Sequence, residues 1–259
     1  MNYSMSEIIE NPSDHAKWRA DPFSQGVHAI TYIPRILFPG SIPPRSYKLA
    51  YGNLKLSGTI LIWSVAVPES CPDASEACLK VCYGRKGMYR SPYARKSVLD
   101  NLEYAMLSTF ENDMSLILRS LLAKPGTAIL RIHEIGDFID IAYAKQWVNI
   151  CKYLENELPE IIIYFYTKSY FIKNLDWPDN VKIWYSVGGK NDDKYPKNAN
   201  LAYVLEKDID AEEATKAGIY LCPGLHIKGP GQWYVCGRDC FYCFRQKNNS
   251  GKKVGFTRH

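Results

Sequence analysis

The chain has 259 residues, of which 46% are hydrophobic and 23% are charged, and its formal net charge is +5. This composition is typical of a globular protein, and no apolar run of about 18 residues predicts a membrane-spanning helix. The mild positive charge permits a nucleic-acid or phosphate-bearing partner without requiring one. The first residues lack a basic segment followed by an apolar one, so we expect no secretory signal and a cytoplasmic location.

Residues 1 to about 50 contain many prolines, which interrupt long helices and strands, and we expect an irregular wrap around the main domain. From Thr59 onward, short apolar runs alternate with helical patterns. The predicted strands are Thr59–Val67, Thr127–His133, IIIYFYTKS, VKIWYSVGG, LAYVLEKD and GIYLCPG. The predicted helices are SPYARKSVLDNLEYAML with Ser91 as the N-cap, Met114–Ala123, IAYAKQWVNICKYLENEL and the short YFIKNL.

Strands that alternate with helices indicate a parallel sheet joined by crossover connections. Six predicted strands fall short of the eight of a closed barrel. We therefore expect an α/β fold with a partial (β/α) barrel over residues 51–221, followed by a cysteine-rich extension over residues 222–259. The basic segment RQKNNSGKKVGFTRH is expected to be partly disordered. In such folds the reacting groups lie at the carboxyl ends of the strands.

The eight cysteines fall into two groups and one single residue. In a reducing compartment, clustered cysteines are better explained as metal ligands or reactive thiols than as disulfides. Cys151 lies on the apolar side of a predicted helix, where a thiol packs as a small hydrophobic group. The three-cysteine group, which follows the first predicted strand, is Cys71, Cys78 and Cys82. The C-terminal cysteine group is Cys222, Cys236, Cys240 and Cys243.

Four thiols within a short, glycine-containing segment make a complete metal site. Their spacing does not form the two close pairs that zinc sites usually use, whereas iron–sulfur clusters accept irregular, compact sets of thiolates. We therefore expect the C-terminal cysteine group to hold a [4Fe-4S] cluster. Zinc is the alternative, because His226 could replace one of the thiols.

The odd number of thiols in the three-cysteine group has a chemical explanation. A cubane cluster held by three thiolates keeps one iron open, and that iron can bind a small molecule. Two alternatives stay open at this point. An aspartate or histidine from elsewhere could complete an ordinary structural site, or thiols from both groups could share one site. The sequence therefore predicts one or two clusters.

This layout resembles the radical S-adenosylmethionine enzymes. In that family a three-cysteine loop follows the first barrel strand, as Thr59–Val67 leads here to Cys71, Cys78 and Cys82-Tyr83. The resemblance implies S-adenosylmethionine as a cofactor and assigns Gly136 and Asp137, in the segment RIHEIGDF, to the binding of its amino group. It also implies an auxiliary cluster on the C-terminal cysteine group. The family's usual spacing, C-x3-C-x2-C, occurs here at the C-terminal group, so exchanged roles remain an alternative.

Other polar residues follow the predicted strands and are candidates for binding the cofactor. His133 lies at the same strand exit as Gly136 and Asp137, and its alternative role is that of a buried, hydrogen-bonded core residue. Strand alternation would aim it to the same side as Arg131. Lys168 and Ser169 end the next strand, where either could meet a carboxylate or a ribose. The segment SVGG, from Ser186 to Gly189, follows the strand after that and gives backbone that could approach a cofactor closely. Turn geometry is the alternative explanation for both.

A second resemblance covers residues 49 to 245. The blocks LAYGNLKLSGTI, CPDASEACLKVCYGRKGMYR and RIHEIGDF and the terminal cysteines look like those of a bacteriophage protein family of iron–sulfur type. This likeness implies a phage-encoded protein in the host cytoplasm but brings no established activity.

We therefore expect a radical S-adenosylmethionine-like enzyme acting on a small molecule that the sequence does not identify. One alternative is a non-catalytic iron–sulfur sensor that binds a host factor or nucleic acid. The other is a zinc-stabilised nucleic-acid-binding protein, in which the C-terminal aromatic residues would stack on bases.

Overall fold

A computed structural model of the chain describes residues 30–31, 49–53, 55–205, 211–223, 227–229 and 232–257. The strands are β1 (Ile30–Thr31), β2 (Leu49–Tyr51), β3 (Ile60–Trp63), β4 (Ile129–Ile132), β5 (Ile162–Thr167), β6 (Val181–Ser186), β7 (Leu201–Leu205), β8 (Tyr220–Leu221), β9 (Ile227–Gly229), β10 (Gln232–Trp233) and β11 (Lys253–Thr257). The helices are α1 (Glu76–Val81), α2 (Pro92–Ala105), α3 (Phe110–Leu122), α4 (Ile141–Glu157), α5 (Ala211–Lys216) and α6 (Tyr242–Arg245). Short 3-10 helices span Tyr83–Arg85, Gly87–Arg90, Tyr170–Asn174 and Asp192–Lys194.

Nine strands form the main sheet in the order β1-β2-β3-β4-β5-β6-β7-β11-β8. Strands β3 to β7 follow the order of the sequence and are parallel, and β11 and β8 continue the parallel arrangement. The first two strands are antiparallel to their neighbours. The predicted α/β class with parallel strands is therefore confirmed. Within the described residues the sheet is open, with β1 and β8 at its edges, so closure into a partial barrel is not confirmed.

The two faces of the sheet are buried by different parts of the chain. Along β5, Ile163 and Phe165 point to the face that carries the helices, whereas Tyr164 and Tyr166 point to the opposite face, as strand alternation requires. We call these the helix face and the second face. The four predicted strands β3 to β6 therefore lack polar alternation because both of their faces are covered.

The helix face contains the larger hydrophobic core. Trp63 packs against Phe110 of α3 and Trp147 of α4, with ring centroids 5.9 and 6.4 Å apart. Its indole N–H donates a hydrogen bond of 3.0 Å to the Tyr143 hydroxyl. Cys151 is completely buried in this core, as predicted. Burying a large apolar side chain contributes about 1.5–3 kcal/mol, so this core anchors α3 and α4 to the sheet.

The second face is covered by the C-terminal segment. Phe244 of α6 packs on Tyr164, with ring centroids 4.6 Å apart, and the Trp184 indole donates to the Cys243 carbonyl at 3.1 Å. Gly237 lies against Ile60 so closely that an added Cβ would approach its Cδ1 to 2.8 Å. The cysteine-rich extension is thus part of the main domain's packing.

One local expectation was wrong, one lies mostly outside the described residues and one was confirmed in part. The segment RQKNNSGKKVGFTRH was expected to be partly disordered, but residues 253–257 form β11 inside the sheet, and Asn248 hydrogen-bonds the backbone of Val181 and Ile183. Strands β1 and β2 begin in the proline-rich start, and most of its other residues fall outside the described part, so the expected irregular wrap stays a prediction. Ser91 occupies the N-cap position of α2, as predicted, but its side chain makes no capping hydrogen bond.

No helix among the described residues is both long and apolar enough to cross a membrane.

Candidate functional site

The three-cysteine group lies in the connection that leaves the carboxyl end of β3. Ser75 caps α1 by accepting a hydrogen bond of 3.1 Å from the Cys78 N–H, which fixes Cys78 in the first turn. Cys82 is the C-cap of the same helix, four residues later. Residues four apart lie on one side of a helix, so the spacing of Cys78 and Cys82 turns both thiols toward the same region.

Cys71 precedes α1 and joins the other two thiols. The electrostatic neighbours of Cys71 include Cys82, Cys78 and Asp137, and those of Cys78 include Cys82. Burial is the main cause that raises the pKa of Cys71 and of Cys78, and the neighbouring thiols add to the rise. Such thiols stay protonated near neutral pH until a cation stabilises the thiolate, which is what a coordinated metal does.

The three-cysteine loop is fastened to the loop that follows β6. Asp73 accepts a hydrogen bond of 2.7 Å from the Asn191 amide, and its carbonyl accepts from the Lys190 N–H at 2.9 Å. The Ser75 hydroxyl donates to the Gly188 carbonyl at 2.6 Å. The loop therefore spans the carboxyl ends of β3 to β6, which is the edge where the sequence predicted the reacting groups. The sequence analysis did not identify Asp73, although its position between Cys71 and Cys78 could have indicated it.

Gly136 and Asp137 lie directly beneath this loop. Gly136 has φ of +87°, and an added Cβ would lie 2.5 Å from Val65 Cγ2 and 2.7 Å from Ser70 Oγ. The Asp137 carboxylate accepts from the Thr167 hydroxyl at 2.5 Å and from the Lys168 N–H at 2.7 Å. Burial raises the pKa of Asp137, and these hydrogen bonds oppose that rise. Asp137 thus ties the exit of β4 to the exit of β5.

Lys168 and Ser186 meet at the next two strand exits. The ammonium group of Lys168 donates to the Ser186 hydroxyl at 3.0 Å and to the carbonyls of Ser186 and Val187 at 3.0 and 3.1 Å. Lys168 also acts electrostatically on Cys78 and lowers its pKa, against the larger effect of burial. The structure therefore brings Lys168, Ser186 and Asp137 together with the three-cysteine group.

His133 is placed elsewhere, in the helix-face core. Its ring packs on Phe138 with centroids 4.8 Å apart, and its Nε2 lies 3.1 Å from the Tyr143 hydroxyl. Burial lowers the pKa of His133 to about 3, so the ring is neutral. The expected common side of Arg131 and His133 was wrong, because His133 has φ of +61° and the strand alternation ends before it. Arg131 faces Tyr164 and Tyr166 on the second face.

The C-terminal cysteine group is assembled from three separate pieces of backbone. The Cys222 N–H, just after β8, donates to the Gly255 carbonyl at 2.8 Å. Cys236 and Cys240 face each other across a tight turn, which is hydrogen-bonded to residues 55 and 57 before β3. Cys243 lies in α6, and its sulfur accepts a hydrogen bond of 3.0 Å from the Tyr166 hydroxyl. His226, the alternative zinc ligand, lies outside the described residues.

The four thiols of this group are electrostatic neighbours. Burial raises the pKa of Cys243 to about 12, and Cys222 and Cys240 add to the rise. Burial also raises the pKa of Cys236 well above its usual value. Phe241, Tyr242 and Phe244 pack around this group, as expected from the aromatic residues of the segment.

Three further polar residues lie between the two cysteine groups, and the sequence did not single them out as ligands. Arg131 projects from β4 onto the second face, and Glu134 and Lys55 are among its charged neighbours. The sequence feature that could have indicated them is the alternation of β5, because it places Tyr164 and Tyr166 on the same face as Arg131.

A metal ion needs several donor side chains close to one point. Among the residues that the structure describes, no three His, Cys, Asp or Glu side chains lie close enough to hold one metal ion. Thiolates around a zinc ion converge to about 2.3 Å from it, whereas each thiolate of a cubane binds a different iron and the set is wider. The choice between clusters and zinc therefore stays a prediction from the cysteine spacing.

Residues 41–250 match the family model described as Gene product 88, a phage gene product. No curated protein and no solved structure matches the chain. The match covers most of the chain and includes both cysteine groups, and it confirms the predicted likeness to a bacteriophage protein family. The chain belongs to the Gene product 88 family.

Proposed function

We propose that this chain is an iron–sulfur enzyme of the radical S-adenosylmethionine type that acts in the cytoplasm of the infected host cell. The observation that carries the proposal is the position of Cys71, Cys78 and Cys82, which lie as one group at the carboxyl edge of a parallel sheet. When bound to three thiolates, a [4Fe-4S] cluster supplies the electron for reductive cleavage of S-adenosylmethionine at its open iron.

The topology supports this proposal. Strands β3 to β7 lie side by side in sequence order, and the segments connecting β3 to β6 contribute to the core on the helix face. A partial (β/α) barrel is built in this way, whereas a doubly wound sheet reverses its strand order and covers both faces with helices. The open sheet leaves its second face to the C-terminal segment, which covers it.

The protein groups around the three thiols have distinct tasks in this proposal. Asp137 and Gly136 hold the exits of β3, β4 and β5 close together, which keeps Cys71 at the edge of the sheet. Lys168 places a positive charge near Cys78 and offsets part of the negative charge of a thiolate-bound cluster. Ser186 fixes the position of the Lys168 ammonium group. His133 stabilises the core instead of contacting the cofactor.

The C-terminal cysteine group would hold the second, fully ligated cluster. Four thiols are available, and the Tyr166 hydroxyl donates toward the sulfur of Cys243. Hydrogen bonds to the sulfurs, and the exclusion of solvent, set the reduction potential of such clusters. The aromatic residues Phe241, Tyr242 and Phe244 provide that exclusion here.

The test is anaerobic purification followed by iron, sulfide and zinc analysis, and by electron paramagnetic resonance of the reduced protein. We expect about eight irons per chain, as for two cubane clusters, and a spectrum that changes when S-adenosylmethionine is added. The triple variant Cys71→Ala, Cys78→Ala, Cys82→Ala should lose about half of the iron and all of the response. Cys151→Ala, which alters a buried thiol in the helix-face core, is the matched control and should change neither.

Two outcomes contradict the proposal. Protein that contains zinc and no iron would favour the zinc-stabilised alternative. Protein with clusters whose spectrum ignores S-adenosylmethionine, and that does not cleave it under reducing conditions, would favour a non-catalytic sensor.

A further inference from the structure

A partly exposed surface lies between the two cysteine groups. It consists of Lys55, Tyr83, Arg131 and Tyr166, and we call it the inter-group surface. The Tyr83 side chain is 51% exposed, and Lys55 is also exposed. In β4 and β5, every residue is buried except Arg131 and Tyr166, which are partly exposed. Tyr83 follows Cys82 directly, and the Tyr166 hydroxyl contacts Cys243. The surface therefore joins one cysteine group to the other.

The guanidinium of Arg131 has unfilled hydrogen-bonding capacity on this surface. Among the described residues it makes no ion pair, and its buried Nε has no hydrogen-bond partner. Its Cζ lies 5.8 and 5.5 Å from the ring centroids of Tyr164 and Tyr166. Aromatic rings attract the flat face of a guanidinium, so its in-plane N–H donors stay available for an acceptor.

The nearest carboxylate does not fill this role. Glu134 is an electrostatic neighbour of Arg131, but Asn53 donates to its Oε1 at 2.5 Å and the Tyr89 hydroxyl donates to its Oε2 at 2.8 Å. The Tyr83 hydroxyl donates to its backbone carbonyl at 2.7 Å. Glu134 is thus held by neutral donors and does not form an ion pair with Arg131.

Lys55 adds a second cation. Glu134 and Arg131 are among its electrostatic neighbours, and within the described residues its ammonium group makes no ion pair and no hydrogen bond. Two cations and one carboxylate give this surface an excess of one positive charge when the neighbouring thiols are counted as protonated and metal-free. A partly enclosed surface with an excess positive charge attracts anions.

We propose that Arg131 and Lys55 bind an anionic group, a carboxylate or a phosphate, of the molecule on which this protein acts. A guanidinium matches both groups, because its parallel N–H donors can bind two oxygens at once. The anion belongs to a second ligand and not to S-adenosylmethionine. The cysteines that neighbour Arg131 and Lys55 are Cys236, Cys243 and Cys222, all in the C-terminal group. The statement that this ligand is a substrate rests on the proposed function. The statement that an anion binds here does not depend on it.

The test is isothermal titration calorimetry of the anaerobically reconstituted protein with inorganic phosphate and, separately, with succinate. We expect at least one of the two to bind, and the stronger one identifies the anion. Arg131→Gln and Lys55→Gln should each weaken that binding, Arg131→Gln by about tenfold or more, and Arg131→Lys should restore part of it. The matched control is Arg119→Gln on α3, an exposed residue paired with Glu157 on the helix side of the sheet, which should bind as the wild type does.

Because Arg131 lies within the sheet, Lys55→Gln tests the same surface at an exposed residue if Arg131→Gln fails to fold. The proposal is overturned if neither anion binds, or if folded Arg131→Gln and Lys55→Gln bind as the wild type does. It is also overturned if Arg131→Gln weakens S-adenosylmethionine binding as strongly as anion binding. A protein that binds phosphate through these residues but ignores S-adenosylmethionine would contradict the proposed function alone.

Discussion

The hydroxyl of Tyr166 donates a hydrogen bond of 3.0 Å to the sulfur of Cys243, and so connects the middle of the sheet to the C-terminal cysteine group. This bond opposes the effect of burial, which raises the pKa of Cys243 to about 12. The same tyrosine therefore bears on the stability of the thiolate form and on the packing of α6 against β5.

Replacing Tyr166 by phenylalanine removes the donor and keeps the ring. We expect the free energy of unfolding to fall by about 0.5–1.5 kcal/mol, as for a lost hydrogen bond. In the reconstituted protein, the reduction potential of the C-terminal cluster should become more negative, because one donor to its sulfurs is lost. Urea unfolding and a redox titration measure the two effects. Tyr93→Phe is the control, since that side chain is 83% exposed; equal changes in both variants would contradict the prediction.

Gly136→Ala should disturb the three-cysteine group. The new Cβ would overlap Val65 and Ser70, and the residue would be held at φ of +87°. We expect a loss of about 2 kcal/mol or more in the free energy of unfolding, from strain and overpacking together. Gly126→Ala is a matched control, because Gly126 has φ of +86° but open space around it. The difference in the free energy of unfolding between the two variants measures the cost of the steric overlap. Equal values would mean that Gly136 does not pack closely against the segment before the three-cysteine group.

Because His133 is buried, we expect the free energy of unfolding to depend on pH in the acidic range. The pKa of His133 is lowered to about 3 by burial, from an ordinary value of 6.5, so the unfolded chain binds the proton more readily than the folded chain. Stability contributed by the neutral ring is present above pH 6.5 and is lost as pH falls toward 3, at a limiting slope of about 1.4 kcal/mol per pH unit.

His133→Asn should remove that part of the slope, because asparagine does not titrate and tolerates a positive φ. Urea unfolding of both proteins at several values between pH 4 and pH 7 gives the two slopes. Their difference isolates His133 from the carboxyl groups, which titrate in both proteins. Parallel curves would show that the histidine titrates normally and is not buried as described.

Val254 tests whether β11 is part of the folded sheet. Its side chain is 1% exposed on β11, whereas Val204 on the neighbouring β7 is 56% exposed. We expect Val254→Ala to reduce the free energy of unfolding by about 2 kcal/mol, and Val204→Ala by less than about 0.5 kcal/mol. Thermal or urea unfolding provides the comparison. A disordered segment would give two equally small effects.

The central strands could be predicted from the sequence because their signal is local. Thr59–Val67, Thr127–His133 and IIIYFYTKS are dense in β-branched and aromatic residues, and the structure places β3, β4 and β5 within them. The position of the three-cysteine group also followed from local order, since a segment after a parallel strand emerges at the carboxyl edge. Those elements needed no knowledge of distant contacts.

The remaining features depend on contacts between distant residues. In β11, Lys253 and Gly255 interrupt the apolar pattern, and the strand is stable because β7 and β8 pair with it on both sides. The side of the sheet to which the His133 side chain points depends on a positive φ, which no local sequence pattern predicts. The inter-group surface forms only because the C-terminal segment folds over the second face, which brings Arg131 near Cys236.

The place of β11 also determines the order in which the protein can assemble. Within the described residues β8 pairs only with β11, and β11 pairs with β7 on its other side. Until residues 253–257 dock beside β7, β8 has no partner, and Cys222 lacks the Gly255 carbonyl that fixes its backbone. The backbone of Cys222 therefore reaches its place in the C-terminal cysteine group only when β11 is part of the sheet.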